Sequence, residues 1–263
     1  MVGKLQKCGH CGFPCVVPKA RAAESEPPRA RSFFSQNPKT QAELLGIPFE
    51  EVWAEPRGRT WISPFSGRCV GPEQVVLEAY EQLGWIGEPW HGFSLYTLQE
   101  AICHTYIHDH CDRDSLAMFY GQILTAHWVA CGYGKRSELI DLPLTVPEKT
   151  VRKGFRGVLA YYRWAGTYRD VLQYAGQLET CVFAIWRILG RDRLRRLFWL
   201  QLGGDSWKYY TGWPDLTLVL ENNLLFIEVK TTDRILPQQY EILSEVAPAL
   251  QLDCRIARVS LGA

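Results

Sequence analysis

The sequence predicts an α/β fold, a mixed sheet flanked by helices and preceded by a mostly helical region. Three observations lead there. Apolar residues recur at helical spacing through most of the chain from Pro72 to about residue 203. The period then switches, because Leu216-Thr-Leu-Val-Leu220 and Leu224-Leu-Phe-Ile-Glu-Val229 are two β-rich runs around an Asn-Asn turn. A helical stretch over 237–248 finally separates this hairpin from a last strand, Cys254 to Ser260.

In chain order, residues 1–35 form a head and linker. The head carries Lys7-Cys-Gly-His-Cys-Gly-Phe-Pro-Cys15, and the Pro-, Ala-, Arg- and Glu-rich stretch from Val17 to Arg31 reads as linker. Segment 36–150 is expected to be a helical region and 151–263 the core that carries the hairpin. Gly and Pro punctuate 38–70, which shows no clear period. Val75, Val76, Ala79, Tyr80 and Leu83 then mark a helix that Gly84 stops. Further helices are expected over Leu95–His108, Asp114–Cys131, 168–189 and 191–203.

Bulk properties exclude several classes. A chain of 263 residues, 47% hydrophobic and 22% charged, is long enough to bury a core and polar enough for a soluble fold. It opens without an apolar leader and has no run long enough to cross a bilayer, so a cytoplasmic origin is expected. Nine cysteines is an odd count, and Cys69, Cys103, Cys131, Cys181 and Cys254 stand singly among apolar neighbours, which argues against a disulfide scaffold. From Arg152 to Lys208, eleven Lys or Arg accompany four acids, a balance of +7 in a chain whose net charge is +1. Tyr and Trp are interleaved there, as suits a phosphate backbone and unstacked bases, though solvated helix faces over buried aromatics account for the pattern equally well.

The chemistry gathers on the hairpin. A turn at Asn222-Asn223 pairs Leu220 with Leu225, Leu218 with Ile227, Thr217 with Glu228 and Asp215 with Lys230. Side chains alternate with period two, so Asp215, Thr217, Glu228 and Lys230 share one face. Neighbouring strands lie about 4.8 Å apart and a two-residue step covers about 6.6 Å, so both carboxylates can reach one small cation. Two carboxylates with open positions for water and a phosphate oxygen suit Mg²⁺ or Mn²⁺. The ammonium of Lys230 can orient that water or stabilise the charge that grows on the phosphate. A surface ion pair between Asp215 and Lys230, with Glu228 incidental, is the blander account.

Gly212-Trp-Pro-Asp-Leu216 followed by Ile227-Glu-Val-Lys230 resembles the Gly-x-Pro-Asp-Leu and Glu-Val-Lys pair of the VRR-Nuc branch of the PD-(D/E)xK nucleases. Asp233-Arg234-Ile235 and Gln239 fall where that branch has an Asp-Arg-Leu run and a glutamine opening a helix. Upstream, Glu73 with Val76-Leu77, Gly84-Trp-Ile-Gly-Glu88, Gly92 and Thr97-Leu98 are similar to the opening of the nuclease domain of the Fanconi-associated nuclease and its bacterial relatives. The similarity covers about residues 71–260 and is much weaker upstream than at the core. It implies a restriction-endonuclease-like sheet, metal binding by Asp215, Glu228 and the carbonyl of Val229, a catalytic role for Lys230 and a supporting one for Gln239. Those relatives carry a further metal-binding Glu just before the Gly matching Gly92, where this chain has His91. His91 is a softer ligand, better suited to Mn²⁺ than to Mg²⁺, and Glu88 is the alternative if the loop shifts.

Other candidates are less specific. Cys8, Cys11 and Cys15 hold half of a zinc-ribbon spacing, so Zn²⁺ competes with a flexible or reactive N-terminus. His104 and His108 share a helical face near His110 and Cys111, but Thr105 stands where a metalloprotease helix needs Glu, so a helix C-terminus favoured by histidine is preferred. Leu194, Leu197, Phe198 and Leu202 form an apolar stripe that leaves Arg191, Arg195 and Arg196 outside, and these, with Lys208, are candidate DNA contacts.

The expected activity is metal-dependent hydrolysis of DNA phosphodiesters. Resemblance to VRR-Nuc type VI secretion effectors implies an antibacterial DNA-degrading toxin, held by an immunity protein and exported without a signal peptide. Resemblance to the Fanconi-associated relatives implies a structure-specific repair nuclease acting on flaps or branched DNA. The short chain, the near-neutral charge and the Cys head lean toward the toxin. A third reading, from His91 and the Cys head, is a non-catalytic DNA-binding or zinc-dependent interaction protein.

Overall fold

The computed structural model describes residues 5–7, 14–16, 32–110, 136–165, 172–202 and 212–262. In chain order these form strands β1 (Leu5–Lys7) and β2 (Pro14–Val16), helix α1 (Pro38–Leu45), strands β3 (Phe49–Trp53), β4 (Glu55–Arg57), β5 (Thr60–Ile62) and β6 (Cys69–Val70), helix α2 (Pro72–Glu81) and strand β7 (Ile86–Glu88). Helices α3 (Phe93–His110), α4 (Arg136–Thr145), α5 (Glu148–Ala165) and α6 (Ala175–Leu202) follow. Strands β8 (Leu216–Leu220) and β9 (Asn223–Lys230) come next, then helix α7 (Pro237–Glu241), a π-helical turn (Ile242–Val246), helix α8 (Ala247–Leu250) and strand β10 (Asp253–Ser260).

The hairpin β8–β9 is the centre of a five-stranded mixed sheet, ordered β3-β10-β9-β8-β7. β9 is buried on both faces from Leu224 onward, which explains its nearly continuous apolar run. The crossover from β9 through α7 and α8 returns β10 parallel to β9, and β3 extends the parallel side. β7 closes the other side antiparallel to β8. On one face Leu216, Leu218, Leu225, Ile227 and Val229 pack against Val75, Val76, Leu77 and Tyr80 of α2. The opposite face, with Val219, Leu224, Phe226 and Ile256, packs against the larger helical layer that includes Leu98 of α3, Phe155 of α5 and Val182 and Ile185 of α6. This is the α/β arrangement, mixed sheet between helices, that the sequence predicts.

Outer strands β3 and β7 come from the segment expected to be a separate helical region, so the expected boundary at residue 150 runs through one sheet and its helices. The aperiodic stretch 38–70 is structured too. Asn37 caps α1 by accepting from the Thr40 N–H, Pro38 fits the first turn, and Gly46 closes the helix at φ 68°. Strands β4, β5 and β6 form a small antiparallel meander beyond β3. The expected helices over 168–189 and 191–203 correspond to the two arms of α6, which bends at Gly190; the expected helix Asp114–Cys131 lies outside the described residues.

The hairpin turn differs by one residue from the expected position. Leu220 pairs with Asn223, so the turn residues are Glu221 and Asn222, with Glu221 at φ 54°. Leu216 now faces Ile227 and Leu218 faces Leu225, all fully buried under α2, and that apolar pairing outweighs the left-handed backbone at Glu221. The register moves by two positions in total, which leaves every side chain on its expected face but brings Asp215 level with Glu228 rather than with Lys230.

Candidate active site at the end of the hairpin

Asp215 immediately precedes β8, while Glu228, Val229 and Lys230 end β9. Two further segments close on this edge. The first joins β7 to α3, where His91 (φ 46°) and Gly92 (φ 73°) are successive left-handed residues. They turn the chain so that the His91 N–H donates to the Asp215 carbonyl at 3.1 Å and His91 Nδ1 lies 2.7 Å from Asp215 Oδ1. The second opens α7. Gly212, at φ 89°, has no room for a side chain: a Cβ there would lie 2.4 Å from the Gln238 carbonyl. That close approach sets Gln239 against the carboxylates and gives the Gly-Trp-Pro-Asp run its physical meaning.

Contacts within the group are specific. Asp215 Oδ2 accepts the Val229 N–H at 2.7 Å. Glu228 Oε1 lies 2.6 Å from Lys230 Nζ and accepts from Gln239 Nε2. Gln239 Oε1 accepts from Lys230 Nζ at 3.2 Å and from the Leu236 N–H at 2.8 Å, so one amide ties carboxylate, ammonium and helix start together. Asp233 Oδ2 adds a second anion 3.1 Å from Lys230 Nζ. Glu228 Oε2 is buried with no hydrogen-bond partner.

Both members of the Glu228–Lys230 pair are almost fully shielded from water, with side-chain exposures of 0% and 3%. Burial, and after it the charge of Asp215, pushes the Glu228 carboxyl well above its ordinary range. Burial pulls the Lys230 ammonium down, but Glu228 and Asp233 overcome it and the net shift is upward. The hydrogen bond to Asp215 raises His91 against its own burial, helped by the charges of Asp215 and Glu73. Burial opposes ionisation of Asp233, yet the Thr231 N–H and Lys230 hold its carboxyl below the usual range.

Among the described residues no three His, Cys, Asp or Glu side chains are gathered as a complete metal cage. His91 meets Asp215 at one oxygen, while Lys230 and Gln239 meet Glu228 at another. Two carboxylates on paired strands destabilise each other's charge, and one buried oxygen, Glu228 Oε2, has no partner.

The alternative upstream acid takes no part. Glu88 turns toward α3, where the backbone N–H and hydroxyl of Ser94 hold it, and burial pushes it up to about 7. Of the candidate DNA contacts, Arg191 donates to the Leu144 carbonyl at 2.6 Å and Arg195 pairs with Asp141 at 2.6 Å, tying α6 to α4; Arg196 is exposed. The structure brings none of these three against the carboxylates, and Lys208, Cys8 and Cys11 lie outside the described residues. Cys15 lies on β2, opposite Gln6 of β1. His104 packs over α5, where a Cβ at Gly157 would meet its Nε2 at 2.1 Å. Sequence reasoning left two neighbours without a role at the site, Asp233 beside Lys230 and Glu73 beside His91. An acid three residues beyond a conspicuous lysine was the available signal for the first; nothing local marks the second.

The mixed sheet flanked by helices, with acids at the start of β8 and the end of β9, defines a restriction-endonuclease-like fold. No family model matches the chain, and no curated protein matches it by sequence. Among solved structures it is similar to the crystal structure of paFAN1 bound to 2nt 5′-flap DNA with a gap, with a TM-score of 0.54 and 17% identity over 86% of this chain. The match covers 41% of that protein, so this chain spans less than half its length, and the likeness is one of fold.

Proposed function

We propose that the chain is a divalent-metal-dependent deoxyribonuclease that hydrolyses phosphodiester bonds at the Asp215–Glu228–Lys230 edge. The observation that carries this reading is the group itself: two level, buried carboxylates and an ammonium on one sheet edge, held by the Gln239 amide from α7, with Glu228 Oε2 left unpartnered. Asp215, Glu228, the Val229 carbonyl and His91 would hold Mg²⁺ or Mn²⁺. Such a cation, when bound, supplies a Lewis acid for the phosphate and acidifies a nucleophilic water. Lys230, kept protonated by Glu228 and Asp233, directs a positive charge at the phosphate as charge develops there. Gln239 fixes the orientation of both Glu228 and Lys230. Arg191, Arg195, Arg196 and Lys208 are the proposed contacts to the DNA backbone.

Purified protein incubated with plasmid and Mg²⁺ or Mn²⁺, beside Asp215→Ala and Lys230→Ala, tests the class. Equal cleavage by all three would sink it, and binding without cleavage would favour the non-catalytic alternative. Two biological uses follow from the nuclease reading. Likeness to a protein crystallised with flap DNA favours action on branched or flap DNA. The antibacterial toxin reading, with its immunity protein and export route, rests on the sequence resemblance. Expression in bacteria divides them, because a toxin arrests growth and fragments the chromosome whereas a repair nuclease is tolerated.

A further inference from the structure

Beside the carboxylates lies a cavity of about 430 Å³ lined by His91, Tyr96, Gly212, Trp213, Leu236, Gln238 and Gln239. Two of its walls belong to the reaction centre, since His91 is bonded to Asp215 and Gln239 to Glu228 and Lys230. We propose that this cavity holds one unpaired nucleobase of the DNA substrate, next to the bond that is cut. The proposal rests on the nuclease reading and specifies its substrate.

Three features select a base over other parts of the nucleic acid. The volume falls in the range, roughly 300–1,000 Å³, of pockets that enclose small ring-bearing ligands. Among the described residues the lining holds no lysine or arginine, and Tyr96 and Leu236 offer ring and aliphatic surface beside the buried Trp213. Leu236 is 55% exposed although it stands beside the buried Ile235 and the start of α7, an apolar side chain left at the cavity mouth. The exposed Gln238 adds an amide that can both donate to and accept from a base edge. A base reaches such a cavity only by leaving its stack and its partner, which costs least where it is already unpaired. The enzyme therefore discriminates against continuous duplex and favours sites where the nucleotide flanking the cut is free.

The test uses two duplexes that differ only at one nucleotide, 2-aminopurine, base-paired in one and unpaired beside a junction in the other. Asp215→Asn protein holds the DNA for fluorescence, and wild-type protein with Mn²⁺ gives cleavage rates. The expected result is a fluorescence change with the unpaired probe, lost in a second variant that adds Leu236→Trp, whose indole fills the cavity. Wild type should cut the unpaired duplex about tenfold faster than the paired one, in line with what one stacked base contributes, and Leu236→Trp should bring that ratio close to one. Equal cutting of both duplexes with no fluorescence change overturns the base site and leaves the nuclease reading standing. A fluorescence change that Leu236→Trp removes, in a wild type that cuts neither duplex, supports the base site and overturns the nuclease reading.

Discussion

Glu100 offers a prediction that depends on burial alone and not on the proposed activity. Its carboxyl is enclosed between α3 and α5, where the Tyr162 hydroxyl donates to Oε2 and Oε1 has no partner. Burial pushes its pKa up from 4.5 to about 8. A raised acid is held more tightly as the neutral form by the folded chain than by the unfolded one. The stability this contributes is therefore complete below pH 4.5 and is lost as pH rises to about 8. At about 1.4 kcal/mol per pH unit the loss between pH 5 and pH 8.5 comes to about 4 kcal/mol, a large part of the stability of an ordinary domain. Glu100→Gln keeps an acceptor for Tyr162 and has no proton to lose. Urea unfolding of both proteins in EDTA at pH 5, 6.5 and 8.5 should show wild type losing about 4 kcal/mol more than Glu100→Gln across the series. Parallel pH profiles would refute the reasoning.

Three further substitutions probe the helical packing and the site. Gly154→Ala places a Cβ 2.1 Å from the Ala101 carbonyl where α5 crosses α3, so a loss of about 3 kcal/mol is expected in chemical denaturation. Gly212→Ala meets the Gln238 carbonyl and also suffers from φ 89°, so it should lower the melting temperature and, by displacing Gln239, remove most cleavage. Gln239→Ala leaves Glu228 Oε1 and Lys230 Nζ each with one partner fewer and removes the acceptor of the Leu236 N–H, so it should cost about 10- to 100-fold in kcat while lowering stability by only about 1 kcal/mol, the worth of a helix cap.

Local pattern carried the hairpin, because β8 and β9 are nearly continuous apolar, β-rich runs on either side of a short polar turn. It also carried the grouping of Asp215, Glu228 and Lys230, since a register error of two positions leaves faces unchanged. The turn position was harder to read. Asn222-Asn223 is the better turn dipeptide, and tertiary burial of Leu216 and Ile227 under α2 overrode it. The outer strands were illegible for a related reason: β3 and β7 are short, half-covered pieces whose strand character comes from pairing with β10 and β8. His91 was noticed only as a departure from an expected acid, and its place against Asp215 depends on two consecutive left-handed residues that no periodicity reveals. Glu88, three residues away and chemically the better ligand, is removed from the site by Ser94.

The central claim is that the buried carboxylate pair and Lys230 form a metal-dependent hydrolytic centre. The most direct measurement is the first-order rate of supercoiled plasmid loss at saturating Mn²⁺ for wild type, Asp215→Asn and Lys230→Ala, with EDTA as the metal-free arm and melting curves as the control for folding. The account predicts a rate abolished by EDTA and lowered at least about 100-fold in each variant, as expected when charge stabilisation at the reacting phosphate is removed. Cleavage that persists in EDTA, or at wild-type rates in both folded variants, would contradict it.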